Sequence, residues 1–140
     1  MSLIIDASVA VKWFVREDGH RDALELLDRA EDLHAPDLIL SEVANTAWKK
    51  FRRAEVTRDQ AEAIATALPY YFSRIWPSRG LIARALDLAL ALDHPVYDGL
   101  YLACAEAADG TLISADRRLI DLAGKAGLGG LVHPLGAPLP

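Results

Sequence analysis

Short apolar runs alternating with amphipathic stretches predict an α/β domain of three layers, a central, mainly parallel five-stranded sheet flanked by helices. Three features carry this reading. Runs such as Leu3-Ile4-Ile5 and Leu112-Ile113 are short and apolar, as strands buried on both faces are. The longer stretches between such runs repeat apolar residues at helical spacing. Turn formers, among them Pro36, Pro77 and Asp109-Gly110, stand at the junctions.

Leu3–Ile5 reads as the first strand, closed by Asp6. Ala7–Phe14 follows as a helix with Ser8 as its candidate cap, and Asp18-Gly19 breaks the pattern. His20–Ala30 is helical by the spacing of Ala23, Leu26, Leu27 and Ala30, and Leu33–Ala35 is the second strand. Leu38–Arg53 is the clearest helix. Leu40, Val43, Ala44, Ala47, Trp48 and Phe51 recur at helical intervals beside a polar stripe of Glu42, Asn45, Thr46, Lys49 and Arg53. Thr57-Arg58-Asp59-Gln60 has the form of a capping box, opening a helix that runs to Leu68. Tyr71–Trp76 is the third strand. Ser78-Arg79-Gly80 leads into a helix ending near Leu92, and Pro95 starts another that reaches Ala108. Thr111–Ser114, Arg117–Ala126 and Leu131–His133 are the fourth strand, the last helix and the fifth strand.

A chain of 140 residues, 52% apolar and 25% charged, fits one domain, placed at residues 1–135 with a flexible tail at 136–140. Cys104 is the single cysteine, so no internal disulfide forms and nothing points to an oxidising compartment. The start lacks a basic, apolar leader, and Leu81–Leu92 is too short and too charged to span a bilayer. A cytoplasmic protein without membrane contact is expected. The net charge of −5 argues against a dedicated nucleic-acid scaffold, but not against an enzyme that holds phosphates through a metal.

Four carboxylates stand out by context. Asp6 and Asp116 each follow a strand, at the carboxyl edge where open parallel sheets bind ligands. Glu42 lies early on the long helix. Asp98 interrupts Val-Tyr-Asp-Gly-Leu-Tyr-Leu-Ala-Cys-Ala, which is otherwise apolar all round. Each has an ordinary alternative: Asp6 and Asp116 as helix caps, Asp98 as a first-turn carboxylate, Glu42 as a solvated helix residue. Together they would repel one another at one sheet edge and raise their own pKa values, and a hard cation relieves that. Oxygen-only ligands favour Mg²⁺ or Mn²⁺ over zinc. Such an ion equips a site for phosphodiester hydrolysis without a protein nucleophile.

Four segments, Ile-Ile-Asp6-Ala-Ser8, Ser-Glu42-Val-Ala-Asn45, Tyr97-Asp98-Gly-Leu-Tyr101-Leu-Ala and Leu-Ile-Ser114-Ala-Asp116-Arg-Arg-Leu119, in this order and spacing, resemble a PIN domain of the VapC toxin-ribonuclease type. The resemblance implies a Rossmann-like sheet and Mg²⁺- or Mn²⁺-dependent endoribonuclease activity. It also implies a cognate antitoxin that blocks the acidic site, and homodimerisation. It makes Asp6, Asp98 and Asp116 metal ligands, Glu42 a fourth ligand or water-orienting group, and Ser8 and Ser114 the hydroxyls that support the carboxylates. Gly99 and Ser114 depart from the commoner Ala or Cys and Thr without removing a ligand.

Lys12, Lys49, Arg53 and Arg117 are candidate RNA contacts, with Arg16, Lys50, Arg52 and Arg118 nearby in sequence. His20, His34, His94 and His133 lack HxxxH or HxH spacing, which argues against a histidine metal site. Two rivals remain: a non-catalytic binding module on the same fold, and a haloacid-dehalogenase-like phosphatase. The latter would want an Asp at position 8, where Ser8 stands.

Overall fold

The computed structural model describes residues 2–29 and 32–139. Five strands form one sheet: β1 (Ser2–Ile5), β2 (Asp32–Pro36), β3 (Arg74–Trp76), β4 (Thr111–Ser114) and β5 (Val132–Pro134). Their order is β3-β2-β1-β4-β5, and every pairing is parallel. Ile4 stands in register with His34 on one side and Leu112 on the other. Parallel neighbours need crossovers, and the helices supply them. They are α1 (Ala7–Ala10), α2 (His20–Leu27), α3 (Leu38–Arg52), α4 (Arg58–Ala67), α5 (Ile82–Leu92), α6 (Val96–Ala107) and α7 (Arg117–Lys125). The fold is the α/β domain expected.

The chain builds outward from β1 through β2 to β3, then returns to place β4 on the other flank of β1. The direction of winding therefore reverses between β1 and β4, which opens a crevice at their carboxyl ends. β1 is central and buried, with Leu3, Ile4 and Ile5 at 1% exposure or less. Asp6 and Ser114 are buried polar side chains, and both lie at this crevice.

Several elements depart from expectation in detail. Asp6, not Ser8, caps the first helix: its carboxylate accepts the Val9 N–H at 3.1 Å. That helix ends after four residues and continues as a 3₁₀ turn over Val11–Trp13. The third strand is only Arg74–Trp76, because Leu68–Tyr71 folds as a 3₁₀ turn with Pro69 near its start. Tyr71 and Phe72 stack on Trp13, with centroids 5.2 and 5.6 Å away, and this aromatic cluster overrides their strand propensity. On α3 the buried stripe is Ile39, Val43 and Ala47, leaving Trp48 and Phe51 about half exposed. The capping box at Thr57 and Gln60 forms as read. The second helix ends at Leu27, and Ala30, assigned to it from sequence, lies outside the described residues.

Residues 136–139 were expected to form a flexible tail. There the Pro138 carbonyl lies 2.6 Å from His133 Nε2, and Leu139 packs against the core. Pro140 is outside the described residues.

Two glycines set close approaches. A Cβ on Gly99 would stand 2.7 Å from the Ala85 carbonyl oxygen, so its absence lets α6 lie directly on α5. A Cβ on Gly110 would meet the Ser2 carbonyl oxygen at 2.5 Å, so the turn into β4 can tuck under β1. Among the described residues no helix is long and apolar enough to cross a membrane.

Candidate active site at the β1–β4 crevice

Asp6 is the centre of the site. It follows β1 in extended conformation, 4% exposed, and three donors converge on it. The Ser8 hydroxyl donates to Oδ1 at 2.6 Å, the Val9 N–H donates to the same oxygen, and the Ser114 hydroxyl donates to Oδ2. Each serine oxygen also accepts a hydrogen bond from a backbone N–H of the loop after β4. Ser8 accepts from the Ala115 N–H at 3.1 Å, and Ser114 accepts from the Asp116 N–H at 3.0 Å. The two hydroxyls thus lace the end of β1 to the end of β4.

These bonds do not fully offset burial. Desolvation pushes Asp6 up from 3.8 to about 6, against the lowering effect of Ser114, Ser8 and Val9, and with a further push from nearby Asp116. A Ser114→Ala variant loses the largest of the lowering contacts. Its Asp6 is expected to titrate higher still, by on the order of one unit, the worth of a hydrogen bond to a charged group. A carboxyl-carbon NMR titration in chelator would read it, and an unmoved midpoint would contradict this account of the serine.

Glu42 sits in the second turn of α3 and reaches the site through Tyr101. The buried phenol donates to Glu42 Oε1 at 2.5 Å, while the Ala7 backbone is hydrogen-bonded to the same phenol oxygen. Burial raises the Glu42 pKa, the Tyr101 contact lowers it, and the charge of Asp98 raises it again. Burial and the two carboxylates Glu42 and Asp6 hold the Tyr101 phenol firmly protonated. Tyr101 is therefore a neutral donor linking α6, α3 and the first turn after Asp6.

Asp98 occupies the first turn of α6, and its side chain is 17% exposed. It lies 2.6 Å from His94 Nε2, four residues earlier. Arg118 reaches across from α7, its guanidinium 3.6 Å from Asp98 and 3.7 Å from Asp116. Asp116 caps α7 by accepting the Arg118 N–H at 3.0 Å. The four sequence-predicted carboxylates are thus linked pair by pair: Asp116 acts on Asp6, Asp98 acts on Glu42, and Arg118 lies between Asp98 and Asp116. Sequence reasoning missed His94 and Tyr101. The i, i+4 spacing of His94 and the i+3 spacing of Tyr101 from Asp98 were the available signals.

The side chains do not form a closed metal cage: among the described residues no three His, Cys, Asp or Glu groups are grouped to hold an ion. The donor chemistry nonetheless fits one. The candidate donors are all carboxylate oxygens, one carries a pKa of about 6, and the cation spanning Asp98 and Asp116 is an arginine whose side chain is 68% exposed, at loose distances.

Of the candidate RNA contacts, Lys12 pairs with Glu17 at 3.4 Å but also lines, with Arg117 and Ser114, a depression of about 300 Å³ beside the crevice. Lys49 and Arg53 lie away from it, at the far end of α3, with Trp48 and Arg52.

The architecture and its acidic edge define a class: a Rossmann-like α/β domain with carboxylates gathered at the switch point of a parallel sheet. Within that class the chain belongs to the PIN domain family, whose model matches residues 3–125. It is 33% identical to Ribonuclease VapC3 of Pyrobaculum aerophilum, over 86% of this chain and 94% of that protein. It is 30% identical to Ribonuclease VapC1 of Mycobacterium tuberculosis, over 83% of this chain and 86% of that one. The fold is similar to that of PAE2754 from Pyrobaculum aerophilum, with TM-score 0.72, 20% identity and 96% and 90% of the two chains covered. It is also similar to VapBC2 from Rickettsia felis, solved with a DNA fragment from their promoter, with TM-score 0.69, 16% identity and coverage of 96% and 98%.

Proposed function

We propose that this chain is a Mg²⁺- or Mn²⁺-dependent endoribonuclease, the toxin of a toxin–antitoxin pair. The observation that carries it is the buried Asp6, lifted to about 6 by desolvation and by Asp116, at a crevice shared with Asp98 and Glu42. The ribonuclease names of relatives covered over more than four-fifths of this chain support the substrate class. Asp6, Asp98 and Asp116 would hold the ion, with Glu42 as a fourth ligand or as the group that orients water.

When bound, a divalent ion supplies a lowered water pKa and neutralises charge on the phosphate and departing oxygens. The protein's own residues do the rest. Ser8 and Ser114 fix both Asp6 oxygens. Tyr101 fixes Glu42, whose free oxygen is available to accept a hydrogen bond from the attacking water. Lys12 and Arg117 flank the crevice and meet the RNA backbone. Water adds to phosphorus and the 3′ oxygen leaves, giving 5′-phosphate and 3′-hydroxyl ends.

An antitoxin would cover the site. The likeness in fold to VapBC2 from Rickettsia felis and to a toxin–antitoxin complex from Klebsiella pneumoniae supports such a partner. A homodimer is supported by Ile82, Leu86 and Leu90, exposed at i, i+4, i+8 on α5. The protein would act in the cytoplasm, where such RNA is found.

The competing reading is a binding module whose carboxylates only cap helices. The caps made by Asp6 and Asp116 favour it, but it leaves unexplained why Glu42 and Asp98 approach them. Incubation of the full chain with RNA separates the two. Cleavage in Mg²⁺ or Mn²⁺, lost in EDTA and restored by added ion, with 5′-phosphate ends, is expected. Uncut RNA under all metal conditions would leave the module.

A further inference from the structure

We propose that the carboxyl end of α3 is a second contact for single-stranded RNA, in which Trp48 stacks a base and Lys49, Arg52 and Arg53 hold the adjoining phosphates. It is a binding subsite of the nuclease reading and rests on it.

Four basic residues end α3, and the structure sorts them. Lys50 is largely buried and pairs with Glu17 at 3.4 Å. Lys49, Arg52 and Arg53 are exposed and have no acidic partner among the described residues. In a chain of net charge −5 such a group is a local excess of the opposite sign. The three cations and Trp48 alone line a depression of about 300 Å³.

Trp48 is 50% exposed, and the Arg52 guanidinium sits 5.2 Å from its ring centroid. Cation and aromatic platform together are what a sequence-tolerant single-strand site uses, since every base offers a π-face and every nucleotide a phosphate. An apolar protein partner would be poorly matched to a pocket with three unpaired cations.

The site also lies on a path from the crevice. Lys49 and Arg53 follow Glu42 by two and three helical turns, on the same face, about 10 and 16 Å along the axis. A strand engaged at Glu42 and running along this stripe meets Lys49 and then Arg53, with Trp48 and Arg52 beside the stripe in the same depression. This places the subsite a few nucleotides from the bond to be cut.

The test is titration of the full chain, in EDTA, with a short single-stranded oligoadenylate, followed by tryptophan fluorescence. Quenching is expected. Trp48→Phe should lose most of the quench and keep most of the affinity, whereas Trp48→Ala should bind on the order of tenfold more weakly. Lys49→Gln should flatten the slope of log K against log salt by about 0.7. In Mg²⁺, Trp48→Ala should raise KM for the long RNA and leave a dinucleotide substrate unaffected.

If wild type cleaves RNA while Trp48→Ala binds and cleaves it normally, this inference falls and the nuclease stands. If wild type cleaves nothing while the quench and its dependence on Trp48 persist, the nuclease reading falls and the RNA contact stands. Unchanged RNA affinity in Trp48→Ala with weakened antitoxin binding would reassign the surface to protein and overturn the proposal.

Discussion

Asp6→Asn is expected to lower RNA cleavage by on the order of a thousandfold, the scale of losing one preorganised charge at a reacting phosphate, and to flatten the protein's stability against pH. The second effect follows from burial. Asp6 titrates near 3.8 when solvated and at about 6 in the fold. Between those values the native state keeps a proton that the unfolded state has lost, so stability falls as pH rises through this window and levels off above about 6. The total is about 3 kcal/mol for a shift of this size. Below 3.8 both states are protonated and the cost is absent. Glu42, also raised, adds a slope of the same sign, but it is common to both proteins.

Urea unfolding of wild type and Asp6→Asn in chelator across this range isolates the Asp6 part as a difference. A saturating divalent ion should restore stability at neutral pH in wild type, by about 2.7 kcal/mol at a hundred times its Kd, and do much less in the variant. Equal slopes in the two proteins would mean that Asp6 is not the strained carboxylate described.

The placement of Asp6 was legible because its signal is local. Three apolar residues ending at a carboxylate specify a buried strand and the group at its carboxyl end, and β1 and Asp6 are where that pattern puts them. Asp116 followed by the same logic after β4. The orientation of α3 was not legible. Its apolar residues from Ile39 to Phe51 cover a wide arc, and periodicity does not say which edge of an arc meets its neighbours. Packing on α1, α4 and β2 chose Ile39, Val43 and Ala47 and left Trp48 outside.

Tyr101 was hidden for a related reason. It is 2% exposed in an apolar helix and looks like core, and only the fold shows its hydroxyl reaching Glu42, fifty-nine residues away. His94 and Arg118 were visible as residues, but their meeting at Asp98 joins α7 to the start of α6. Such long-range polar contacts leave no periodic trace in sequence.

Asp98→Asn tests the site where capping offers no explanation. α6 begins after Pro95 without a side-chain cap, and the Asp98 carboxylate is held by His94 and Arg118 rather than by backbone N–H groups. Asparagine keeps the shape and can still accept from either neighbour, so stability should change by no more than about 1 kcal/mol. Cleavage should nonetheless fall by on the order of a thousandfold, and Mn²⁺ affinity measured by calorimetry should fall with it. A module whose acids serve only helix ends predicts silence at Asp98 together with a loss of stability at Asp6 and Asp116. A wild-type cleavage rate in Asp98→Asn would therefore remove this residue from the chemistry. Lost cleavage with an intact fold would leave capping unable to explain the conjunction of Asp6, Glu42, Asp98 and Asp116, because a carboxylate that caps no helix would be one the reaction cannot do without.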